Sequence, residues 1–273
     1  MMKGVAGSEG VLHMKKRRII ALLVLLLGVG VAFFSGSRLL EAKQIFDEGN
    51  TTYQTLSDQV VIASEAASDA YRGTQLFEQK PELEQRIDFK ALKAVNKDAV
   101  AWLYSPGTII DYPVVRADDY DYYLYHLIDH TYNVNGTLFI DYNNAPDFSE
   151  RLTVIYGHHM ASGMMFTELV RYQDQEYYQE HPCMYLYTEE GAFQVDLMYG
   201  FVIGAGQWRS QGFMYQENLE ELLACAAQNT GFVSDIRYEE GDRVVAMSTC
   251  SYEFDDARYV VIGVVKQPQG SIN

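Results

Sequence analysis

From Val100 to Val265 the chain is a succession of short runs rich in Val, Ile and aromatic residues, each closed by turn-forming residues, and this rhythm limits the fold more than any other feature. The runs are Ala101–Tyr104 ahead of Ser-Pro-Gly, Asp111–Val115, Gly136–Ile140, Leu152–Tyr156, Met184–Tyr187, Phe193–Ile203, Arg243–Thr249 and Arg258–Val265. Eight such runs predict a mainly β, mostly antiparallel barrel or sandwich. One helix interrupts the series near residues 216–229, where Leu219, Leu222, Leu223 and Ala226 recur at helical spacing. Ahead of the strands, residues 39–80 read as a helical stalk or leading helix. Asp88 to Val95 reads as a short helix capped by Asp88. There is no internal repeat and no low-complexity tract.

The N-terminus has a different character. Lys15-Lys-Arg-Arg18 precedes Ile19 to Phe34, which carries no charged or polar side chain, and extension through Gly36 makes the segment long enough to span a bilayer. A cleaved secretory signal is the competing reading, but no small-x-small site follows the apolar run. The favoured reading is an uncleaved signal anchor at 19–36, in contact with membrane lipid. A basic tail at 1–18 then stays in the cytoplasm, with residues 37–87 and a barrel domain at 88–273 outside the cell. Residues 1–38 hold six Lys/Arg and one Glu, a net of +5; since the whole chain is at −16, the rest carries −21. Such an acidic ectodomain is a poor nucleic-acid binder and suits a soluble domain beside a membrane. About 230 residues with 48% apolar composition overall are sufficient for a core.

The last two runs carry the chemistry. If Arg243–Thr249 and Arg258–Val265 pair antiparallel around the acidic connector Ser251–Ala257, Cys250 and Arg258 face each other at the mouths of a hairpin. Their Cβ atoms would then stand about 5 Å apart on one sheet face. Ser248, two residues earlier, shares that face. Cys250 alone reads equally well as a small buried hydrophobe.

Three cysteines, Cys183, Cys225 and Cys250, exclude a disulfide framework and leave at least one thiol free even if Cys183 and Cys225 pair. Cys225 sits on the apolar stripe of the inserted helix and Cys183 at the start of a strand, so both read as packing. A nucleophilic thiol needs a proton partner. Among His13, His126, His130, His158, His159 and His181, only Gly157-His158-His159 directly follows a strand and can project into a cleft. Neighbours in extended chain point to opposite sides, so one of the pair faces the thiol, and the residue pattern leaves open which. No Cys/His spacing suits zinc, and Asp255-Asp256 falls far short of a calcium site.

These segments together resemble the class B sortases. The resemblance covers residues 88–266 and rests on Trp102–Val115, Asn135–Asp141, Val154–Met160 and Ser248–Tyr259, with Ser-Thr-Cys250, Arg258 and Tyr-Gly-His158 at its centre. It implies an eight-stranded sortase-type barrel with a leading helix, an inserted helix and a single N-terminal transmembrane helix. By motif position it makes Cys250 the nucleophile, His158 the acid/base, and Arg258 the oxyanion or substrate anchor. Leu124 and Ser248 become candidate groove residues, with barrel packing the alternative for Leu124. The implied reaction cuts a surface protein's C-terminal sorting signal after threonine and passes the acyl group to an amine of the cell-wall precursor or a pilin lysine. No cofactor is required. Ala246-Met247 stands where the family signature has Thr followed by Leu, a swap that keeps an apolar strand. Tyr120 stands near where relatives carry an asparagine, so the polar substrate contact of that position is not carried over.

The chemistry can also be argued without the family. Attack on an acyl carbonyl needs a thiolate, a proton source for the leaving amine and donors for the oxyanion, and Cys250, His158 and Arg258 supply these in outline. Activity set by a coupled thiol and imidazole has a bell-shaped pH profile. A guanidinium cannot accept a hydrogen bond from an imidazole, so the pattern leaves open what orients His158. Two other readings share these residues: a cysteine peptidase that only hydrolyses, and a non-enzymatic envelope-binding protein with an inert thiol.

Overall fold

The computed structural model describes residues 6–62, 86–210 and 216–266, with residues 6–21 and Ser210 as backbone only. Helix α1 (Ala6–Val60) is 55 residues long. Its apolar part reaches a mean hydropathy of 2.0, long and apolar enough to cross a membrane, with Leu22 to Phe34 exposing large side chains. The helix runs on through Gly36 into the expected stalk, where the Ser37 hydroxyl donates to the Phe34 carbonyl and Arg38 pairs with Glu41. It ends at Val60, and the rest of the stretch expected to be helical, from residue 63 to 80, lies outside the described residues. Val61 then forms an antiparallel bridge with Ile87. Expectations for residues 1–5, 63–85 and 267–273 fall outside the described residues.

Two compact units divide between Asp47 and Glu48. The second begins with the end of α1, where Tyr53, Leu56 and Val60 are buried. Helix α2 (Phe89–Val95) follows, and Asp88 caps it as its position predicts, with its carboxylate accepting from the Lys90 and Ala91 N–H groups at 3.0 Å. The eight expected strands all form: β1 (Ala99–Tyr104), β2 (Asp111–Arg116), β3 (Leu138–Ile140), β4 (Leu152–Tyr156), β5 (Cys183–Thr188), β6 (Gly191–Gly204), β7 (Arg243–Cys250) and β8 (Ala257–Lys266). They close into a barrel in the order β1-β2-β3-β4-β7-β8-β6-β5. Every pair is antiparallel except β2 with β3 and β4 with β7, which are parallel. Strand β3 begins two residues later than its composition suggests, because Gly136 turns the chain at φ +60.

The inserted region between β6 and β7 holds helices α4 (Ala205–Ser210) and α5 (Leu219–Asn229), while α3 (Gln175–Glu180) precedes β5. A closed barrel has no room for helices inside, so the strand face that meets α5 is the outer one. Leu152 and Val154 of β4, Val244 and Ala246 of β7, and Val260, Ile262 and Val264 of β8 pack there against Trp208, Leu219, Leu222 and Ala226. Burial of each of these leucines stabilises the fold by about 1.5–3 kcal/mol. All three cysteines are free.

Candidate active site

The same outer face changes character toward the ends of β4, β7 and β8. In the parallel pair Val154 stands beside Ala246 and Tyr156 beside Ser248. In the antiparallel pair Ala246 faces Ile262, Ser248 faces Val260 and Cys250 faces Arg258. The period of two therefore carries an apolar, helix-covered row directly into Ser248, Cys250, Arg258 and Tyr156. The hairpin expected around Cys250 is present in the expected register. Its connector is closed by the Ser251 N–H donating to the Ala257 carbonyl at 3.0 Å and the Ala257 N–H to Phe254 at 3.2 Å. Cys250 and Arg258 are both half-buried. Arg258 Nη1 donates to the Ala257 carbonyl at 2.9 Å, leaving further donors of the fork for a ligand. Ser248 is buried, and its carbonyl accepts from the Gly157 N–H at 3.2 Å.

That last bond, with Thr249 Oγ1 donating to the Gly157 carbonyl at 2.8 Å, extends the β4–β7 pairing one residue past each strand's paired core. It delivers His158 level with Cys250. His158 Nε2 lies 2.8 Å from the Leu124 carbonyl oxygen. A carbonyl only accepts, so Nε2 carries the hydrogen and the lone pair of the neutral ring sits on Nδ1. His159 turns elsewhere: its Nδ1 is 2.9 Å from the Cys250 carbonyl and its ring packs on Tyr252. The two histidines thus divide the work, one ring held by a loop carbonyl and the other holding the backbone of the thiol residue. No hydrogen bond joins either imidazole to Cys250 Sγ among the described residues; catalytic hydrogen bonds commonly tighten only in the Michaelis complex.

Leu124, a candidate groove residue by sequence, is half-buried and ends a 3₁₀ turn over Tyr122–Leu124. Asp119 organises this turn, its Oδ1 accepting from the N–H groups of Asp121 at 2.8 Å and Tyr122 at 2.7 Å. Those two bonds hold its carboxyl below the usual carboxylate range. The turn also receives the Thr137 N–H at the Tyr123 carbonyl. What orients His158, open at the level of side-chain types, is thus a peptide group that no side-chain pattern advertises.

Sequence reasoning also missed a buried carboxylate beneath the site. Asp141 Oδ2 accepts from the hydroxyls of Tyr120 at 2.8 Å and Tyr156 at 3.0 Å, while Oδ1 accepts from the N–H and side-chain amide of Asn143. Burial first, and then the Asp141 charge, push both phenols well above their usual range, so both stay donors. Tyr120 is therefore committed to Asp141 through its hydroxyl. Alternation sets Tyr156 on the face of Val154, but no sequence signal joins Tyr156 or Tyr120 to Asp141. Among the described residues no group of three His, Cys, Asp or Glu side chains is arranged to hold a metal ion.

No family model matches the chain. It is 28% identical to Sortase B of Listeria monocytogenes over 261 residues, 92% of this chain and 98% of that protein. Among solved structures, Sortase B of Clostridium perfringens superposes with a TM-score of 0.61 at 28% identity, covering 66% of this chain and all of that one. A Streptococcus pyogenes class B sortase involved in pilus biogenesis gives a TM-score of 0.59 at 28% identity over 66% of this chain and 98% of that one.

Proposed function

From the premise that the chain is a class B sortase, we propose that it is a membrane-anchored cysteine transpeptidase acting on surface proteins with a C-terminal sorting signal. The supporting observation is the convergence of three strand ends: Cys250 directly across from Arg258, with His158 brought level with Cys250 by the parallel β4–β7 pair. The Cys250 thiolate attacks the carbonyl carbon of the signal's threonine, and the Arg258 guanidinium receives the developing oxyanion. The carbon–nitrogen bond breaks as His158 passes a proton to the leaving amine, which leaves a thioacyl-enzyme. An amine of the cell-wall precursor, or a pilin lysine, then attacks the thioester. His158 takes its proton, the carbon–sulfur bond breaks, and a new amide is released with the thiolate and the protonated imidazole restored. Leu124 and Ser248 border the groove in this reading. The N-terminus stays in the cytoplasm because Lys15 to Arg18 flank the apolar stretch, so the barrel faces the outside.

The test incubates the full-length protein in detergent with a library of sorting-signal peptides and an amine, and reads products by mass. Ligated product supports the proposal. Cleavage without ligation would point to a peptidase. No cleavage, together with a Cys250 inert to thiol-directed electrophiles, would point to a binding protein.

A further inference from the structure

We propose that Tyr53, Gly136 and Thr137 are positioning residues for the His158 imidazole, so that the end of α1 sets the geometry of the acid/base. The inference rests on the assignment of His158 to that role. Tyr53 is buried, with its ring edge-on to Tyr112. Its hydroxyl donates to the Gly136 carbonyl at 2.5 Å and lies within hydrogen-bond distance of Thr137 Oγ1 at 2.8 Å. Thr137 Oγ1 passes its own hydrogen to the His126 carbonyl at 2.8 Å, and the Thr137 N–H donates to the Tyr123 carbonyl at 2.8 Å. The next carbonyl along, that of Leu124, is the one that accepts from His158 Nε2.

Gly136 presses on the same atoms. At its φ of +60, a Cβ would stand 2.5 Å from the Tyr123 carbonyl oxygen and 2.7 Å from that of Leu124. Any side chain there must therefore shift the group that holds the imidazole. Burial drives the Tyr53 phenol far above its usual range, so it remains a donor throughout any assay range. Tyr53, Gly136 and Thr137 thus brace the 122–124 turn through hydrogen bonds between segments 83 and 84 residues apart.

The experiment compares full-length Tyr53→Phe, Thr137→Val and Thr137→Ser with the parent in detergent. It measures turnover of a sorting-signal peptide and the ring-nitrogen spectrum of ¹⁵N-histidine-labelled protein, with the His158 signals assigned by their loss in His158→Gln. The expected result for Tyr53→Phe and Thr137→Val is a fall in kcat of about tenfold with KM nearly constant, because a misplaced acid/base slows chemistry more than binding. The His158 Nε2 resonance should shift, and Thr137→Ser, which keeps the hydroxyl, should restore both readouts. Wild-type kcat and an unshifted His158 resonance in Tyr53→Phe would overturn the inference, whether or not Thr137→Val folds. If the parent itself turns over no peptide, the functional reading fails while the nitrogen spectrum still decides the positioning: a shift supports it and an unchanged spectrum overturns it.

Discussion

Strand β7 carries two different environments on one face, and the contrast between them shows how the barrel separates its packed support from the candidate site. Val244 and Ala246 are buried beneath the inserted helix among Leu219, Leu222 and Ala226. Four residues beyond Ala246, Cys250 is half-buried beside polar and ionisable groups. Backbone pairing is continuous across both halves, so the rigid apolar half fixes the strand that presents the thiol, while hydrogen bonds from loops adjust what surrounds it. Substitutions on the two halves should therefore fail in different ways.

The largest effect is expected at the open end. Cys250→Ala should lower peptide turnover about a thousandfold or more, as the nucleophilic role proposed for its thiol requires. Its melting temperature should stay close to the parent's, as read by scanning calorimetry. On the covered half, Leu222→Ala should cost about 2–5 kcal/mol of stability in denaturant melts through lost contacts and a residual cavity. The rate of Cys250 labelling in the folded protein should not change. A slowed or accelerated label under fully native conditions would show that the two halves are not separable.

A smaller effect is expected from Asp119, whose carboxyl titrates lower in the folded protein than in the unfolded chain. Its contribution to the 122–124 turn is complete above the unfolded value of about 3.9 and is lost as pH falls through the depressed folded value. Hydrogen exchange of the Tyr122 amide should accelerate relative to its intrinsic rate in that acid range, and Asp119→Asn, which keeps an acceptor oxygen, should remove the pH dependence. The smallest effect belongs to Glu220, an exposed acid paired with Arg151 beside the inserted helix. Glu220→Gln should leave the melting temperature unchanged within error, as expected for a solvent-screened pair.

The elements were legible because each carries its own signal. Alternation and β-branched residues mark the strands, Asp88 marks a helix start that its side chain does cap, and the acidic connector marks a hairpin whose register brings Cys250 to Arg258. Barrel closure was legible only through the family likeness, because nothing local in Leu152–Tyr156 names Val244–Ser248 as its parallel partner. The end of α1 at Val60 was hidden as well: no glycine or proline stops the helix there, and the stop coincides with the non-local bridge of Val61 to Ile87. At the candidate site, the pairing of Cys250 with Arg258 followed from the hairpin that the sequence marks. The contacts of the Leu124 carbonyl, the Asp141 carboxylate shared by two tyrosines and the Tyr53 hydroxyl did not, since they arise from distant segments meeting in space.

The carbonyl that holds His158 has a consequence for how the chain can evolve. Every amino acid supplies the same peptide oxygen, so position 124 can drift through many residue types without touching the acceptor itself. A scan of side-chain replacements at that position would read the acceptor as silent while sampling only the side chain. Inheritance of the contact is instead spread over the residues that shape the turn, and a lineage could lose it through changes at Asp119 or Gly136 with residue 124, Cys250 and His158 all unchanged.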